Sequence, residues 1–169
     1  MKLLVSLVIS TLFAFTALAA DEAKSPSKYG AEFVKHWGIA KDLTLAVADA
    51  MPADDYGFKP NPEEMSFGEQ VAHIALANYG YCARAAGTKS TATKPEKYDK
   101  ETVTKLVGES FNYCAGVVTP LTDDQFNEMR GQTSVRELTE GVVMHMAHHR
   151  GQIEVYLRLK GIKPPTYKF

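Results

Sequence analysis

The sequence predicts an all-α fold, a four-helix bundle in one domain, on three observations. Apolar residues recur at intervals of three and four, capping signatures mark helix starts, and proline- and glycine-rich stretches separate the segments. The chain has 169 residues, 45% of them hydrophobic, enough for a single sizeable core. Each amphipathic helix must bury its apolar stripe against the others, so a bundle is the expected architecture.

The first segment, MKLLVSLVISTLFAFTALAA, places Lys2 before an unbroken run of apolar or small residues and ends with Ala17 and Ala19 at the spacing of a cleavage site. Residues 1–19 therefore read as an export signal, and residues 20–169 as the bundle domain, beginning at Ala20 or Asp21. The run is short for a membrane span, and no cysteine follows it to carry a lipid. The expected localisation is secreted or periplasmic, with no stable membrane association after cleavage. A net charge of -1 with no clustered basic face argues against a nucleic-acid partner.

Ser25-Pro26 can open the first helix, with proline in the first turn where its missing amide proton costs least. From Tyr29 the residues Phe33, Trp37, Ala40, Thr44, Val47 and Met51 form one stripe, so this helix runs to about Ala50. MPADDYGFKPNPEE is a connecting loop. The capping box Ser66-Phe-Gly-Glu69 starts a second helix from Phe67 to about Ala86.

GTKSTATKPEKYD is the next loop, and a third helix from Lys100 to about Val118 carries Val103, Leu106, Val107, Phe111 and Cys114 on its apolar side. After Pro120, a second capping box, Thr122 to Gln125, introduces a short helix over Asp123 to Met129. A third box, Ser134 to Glu137, opens the longest helix, Val135 to Lys160, closed by Gly161 and Pro164-Pro165. No repeat or strand pattern is expected. Cys82 and Cys114 read either as one disulfide, suited to an oxidising compartment, or as two buried thiols.

The chemistry lies in the histidines. In the longest helix Val135, Leu138, Val142, His145, His149, Ile153 and Tyr156 share a line, so His145 and His149 are expected to point inward together. Residues four apart on a helix have Cβ atoms about 5–6 Å apart, close enough for two imidazoles to reach one metal ion. The zinc-peptidase pattern HExxH uses the same spacing, but Met146 stands where that motif needs its glutamate base. His73, on the edge of the second helix's stripe, is the candidate third ligand. His148 is one position off the line and His36 reads as a partly exposed helix histidine, so both are left outside the ligand set. Tyr79, Tyr81 and Tyr156 can supply a hydroxyl, and no carboxylate is placed as a general base.

The run His145-Met-Ala-His-His149-Arg-Gly-Gln152, followed by Tyr156-Leu-Arg158 and Gly161, resembles the last helix of the DinB/YfiT-like family, whose members are grouped as metalloenzymes, most without an assigned reaction. Ser66 to His73, preceded by Lys59-Pro60, resembles the other half of that signature, and the likeness spans about Tyr29 to Gly161. It implies a DinB-like four-helix bundle in which His73, His145 and His149 hold a divalent ion, zinc or nickel foremost. Several members of that family are transferases or isomerases using a small thiol, a reading at odds with export. Asn78 stands where many relatives carry an acidic residue.

The function expected is thus an exported metal-dependent enzyme acting by hydrolysis or group transfer on a small molecule. A binding module that sequesters or senses the metal without turnover is the alternative. A homodimer is left open.

Overall fold

The computed structural model describes residues 27–167, so the export-signal reading of residues 1–19 lies outside the described residues. The main elements are α1 (Lys28–Ala50), α2 (Phe67–Ala85), α3 (Lys100–Val118), the short α4 (Asp123–Phe126), and α5 (Val135–Leu159). They form the all-α bundle expected, with boundaries within about three residues of those read from the sequence.

Local chemistry explains those boundaries. Ser66/Glu69, Thr122/Gln125 and Ser134/Glu137 each form a reciprocal capping box, satisfying two backbone amides that a helix start leaves unpaired. Ser27, rather than Ser25-Pro26, caps α1; its hydroxyl accepts from the Gly30 amide and also bonds Asp123, tying the start of α1 to α4. Gly161 takes a φ of +76°, with its amide on Arg158 O and the Ile162 amide on Leu157 O, the arrangement that closes α5.

Two features depart from the sequence reading. The short helix stops at Phe126, and residues expected to belong to it or to a loop pair instead as β1 (Met129–Arg130) and β2 (Thr133–Ser134). The turn between them has Gly131 at φ +72°, which a side chain would resist and which matches the twist of a two-residue hairpin.

The helices pack in the cyclic order α1, α3, α2, α5, with α1 diagonal to α2 and α3 diagonal to α5. Successive helices are therefore not all neighbours: the chain crosses the bundle diagonally before α2 and again before α5. Trp37 anchors the α1–α3 contact: its ring lies 4.5 Å from that of Phe111 and its indole donates to the Phe111 carbonyl at 3.0 Å. Across α2 and α3, Cys82 and Cys114 are joined by a disulfide with Cα atoms 5.3 Å apart, resolving the two sequence alternatives.

The core line of α5 is also shifted from the expected one. Leu138, Val142, Met146, Ile153 and Leu157 are at most 1% exposed, whereas His145 and His149 are partly buried. The apolar Met146 fills the centre, and the two imidazoles lie to its side, on the seam where α5 meets α2.

Candidate metal centre

His145 and His149 are held in adjacent turns of α5, and α2 brings His73 against them. One ring nitrogen from each of the three lies within 4.8 Å of those of the other two. His73 Nε2 and His145 Nε2 are 3.2 Å apart, and the ring of His149 is 4.5 Å from each of the other two, centre to centre. The structure thus brings together all three residues singled out from the sequence, including His73, whose direction the helical pattern left least determined.

The excluded histidines stay outside. His148 is exposed and packs edge-on against His149 at 4.9 Å without joining the cluster. His36 lies in a groove between α1 and α5, with Leu43, Val143 and Arg150.

Electrostatics favours neutral rings. Burial holds the pKa of His73 down, aided by Lys94; burial and then His73 and His148 do the same for His145. His149 is lowered to about 4, by burial first and then by His145 and His73. Neutral imidazoles are the form that ligates a metal.

The donor set fits a divalent ion. His145 shares one nitrogen with His73 and has the other, Nδ1, shielded from solvent with no hydrogen-bond partner. Two lone-pair-bearing rings brought to 3.2 Å with a third beside them are an arrangement that a cation satisfies better than a single shared proton. Three imidazoles suit borderline ions such as zinc or nickel and leave positions for a further ligand.

The surrounding polar groups divide into those that serve the cluster and those that do not. Gln70, one turn before His73 and 1% exposed, accepts a hydrogen bond from His149 Nδ1 through its Oε1 at 2.9 Å. Tyr156 reaches Gln70 and the Met65 carbonyl, and the Tyr81 ring lies 6.0 Å from His145. Tyr79 instead faces Tyr113, at 5.2 Å. Asn78 turns to α3, where its amide donates to Ser110 Oγ at 3.1 Å. Sequence reading passed over Gln70 as a functional residue; the signal was a glutamine three positions before a candidate ligand, on the side of the helix that must be buried.

Comparison with known proteins agrees with the fold. YjoA of Bacillus subtilis (strain 168), an uncharacterized protein, is 22% identical over 138 residues, covering 77% of this chain and 90% of its own. The crystal structure of that DinB-like protein matches the fold with a TM-score of 0.70 at 23% identity, over 81% of this chain and 98% of the other. The family model of the DinB superfamily matches residues 36–153, a span that contains all three clustered histidines, and the chain belongs to that superfamily.

Proposed function

We propose that this protein binds one divalent metal ion through His73, His145 and His149 and uses it to act on a small molecule by hydrolysis or group transfer, after export from the cytoplasm. The observation that carries the metal reading is the convergence of three neutral imidazoles from two helices within 4.8 Å. When bound, such an ion supplies Lewis acidity to a carbonyl, phosphoryl group or water. The chain's own part is to hold three ligands on rigid helices, keep them unprotonated, and leave the remaining positions open. Zinc and nickel are the ions that this donor set suits best.

Export is supported by the amino-terminal pattern of residues 1–19 and by the Cys82–Cys114 bond, which an oxidising compartment sustains. Mass analysis of the exported protein should find Ala20 or Asp21 at its start; a full-length, membrane-bound product would overturn this part of the proposal.

Elemental analysis of protein purified from its own compartment tests the metal reading. About one equivalent of a divalent metal is expected in the wild type, and none would refute it. The same preparation separates enzyme from sequestering module: uptake of small anions at an open coordination position favours turnover, and a shell closed by a fourth protein group favours storage.

A further inference from the structure

One histidine of the cluster, His149, has a ring nitrogen tied to a buried side chain, and that tie continues outward to the backbone. His149 Nδ1 lies 2.9 Å from Gln70 Oε1, Gln70 Nε2 lies 3.5 Å from the Tyr156 hydroxyl, and that hydroxyl lies 2.9 Å from the carbonyl oxygen of Met65. Gln70 and Tyr156 are 1% and 4% exposed, so water offers them little alternative.

The direction of this chain follows from donor inventory alone. A backbone carbonyl can only accept, so Tyr156 spends its single proton on Met65. The phenol oxygen can then only accept from Gln70, which requires the amide nitrogen of Gln70 to face Tyr156. Its carbonyl oxygen must therefore face His149, and His149 must carry its proton on Nδ1.

We propose that Gln70 is a positioning residue that fixes His149 as the Nδ1–H tautomer, with Nε2 presented to the cluster, and that Tyr156 sets the direction of Gln70 through the Met65 carbonyl. His145 has no such support, because its Nδ1 is without a partner, and its Nε2 shares a contact with His73. His149 is thus the ligand whose tautomer and ring orientation are set before any metal arrives. A neutral amide, unlike a carboxylate, holds the ring without drawing it toward the imidazolium form.

The consequence for affinity rests on the metal-binding function proposed above, but the tautomer itself does not, so the two can fail separately. The test is long-range proton–nitrogen correlation NMR on metal-free protein labelled with 15N-histidine, with the His149 signals assigned by difference against His149→Ala. Wild type should show a protonated Nδ1 and an unprotonated Nε2. Gln70→Leu should lose that preference and show a mixture, whereas Gln70→Glu, which retains an acceptor oxygen, should keep it. Tyr156→Phe should also give a mixture, because Gln70 can then turn over.

Zinc titration of the same proteins should show affinity reduced by about 10–100-fold in Gln70→Leu and retained in Gln70→Glu. A wild-type His149 protonated on Nε2, or a Gln70→Leu protein with the wild-type tautomer, would overturn the proposal. A correct tautomer with no zinc binding would overturn the metal reading and leave the positioning role standing. Failure of Gln70→Leu to fold would leave the decision to wild type, Gln70→Glu and Tyr156→Phe.

Discussion

His73 on α2 and His145 on α5 place their Nε2 atoms 3.2 Å apart, although 72 positions separate them in the chain. In the metal-free protein only one of the two can donate across that contact, and the other must accept. For both Nε2 atoms to ligate one ion, the donor's proton would have to move to its own Nδ1, so ligation and a tautomer shift are linked at this pair.

Single replacement of either α5 ligand, His145→Ala or His149→Ala, should remove most of the bound metal, as measured by elemental analysis. His148→Ala and His36→Ala should remove little, because neither ring belongs to the cluster. If zinc is the ion, its nitrogen ligands should lie at about 2.0–2.1 Å by X-ray absorption. Full occupancy in a protein lacking both His145 and His149 would sink the assignment.

Stability of the metal-free protein should fall on acidification in a window set by His149. Its pKa is about 4 in the fold against 6.5 for an unperturbed imidazole, so between those values the unfolded chain binds more protons than the folded one. Stability is therefore lost as pH drops from about 6.5 toward 4, and His73 and His145, both lowered, add in the same direction. Urea denaturation with chelator present should show this slope in wild type and a shallower one in His149→Asn. Equal slopes would rule out the histidine contribution.

The disulfide should make a measurable difference to stability. Cys82 and Cys114 are 32 residues apart in the chain, and closing a loop of that size stabilises by about 3–4 kcal/mol in the chain-entropy account. The Cys82→Ala, Cys114→Ala double variant should lose stability of that order in guanidinium denaturation. Free thiols titrating in unfolded, unreduced wild type would contradict the bond directly.

Two glycine substitutions should act in opposite directions. A Cβ on Gly68 would stand 2.1 Å from the Tyr98 carbonyl oxygen, so Gly68→Ala must push the loop before α3 away from α2. A loss of about 1–3 kcal/mol is expected from such overpacking. Gly38, exposed within α1, meets nothing within 4 Å, and Gly38→Ala should stabilise by about 0.5–1 kcal/mol through helix propensity. Calorimetry on the pair checks both signs, and a neutral Gly68→Ala would contradict the close approach.

Short-range chemistry made most of the helical architecture legible without the tertiary structure. Capping at Ser66, Thr122 and Ser134, the spacing of Phe33, Trp37 and Ala40, and the stop at Gly161 depend on residues within one or two turns of each other. The pairing of His145 with His149 was legible for the same reason, since positions four apart on a helix are neighbours whatever the helix packs against. The Gly131 hairpin was equally local but spans only two residues a side, too few to form an alternating pattern.

The amino acid sequence by itself thus determined the helices, most of their ends and the two candidate ligands of α5. Only the tertiary structure decided that α1 sits diagonal to α2, that Met146 takes the core position beside His145, that Asn78 turns to Ser110, and that His73 and Gln70 reach the α5 histidines. The physical reason is that helical periodicity defines a face to within tens of degrees, whereas a shared metal site demands that nitrogens from two helices meet within a few ångströms. That precision comes from the rotation and height of α2 against α5, which are set by close packing of the whole core rather than by any residue near the site.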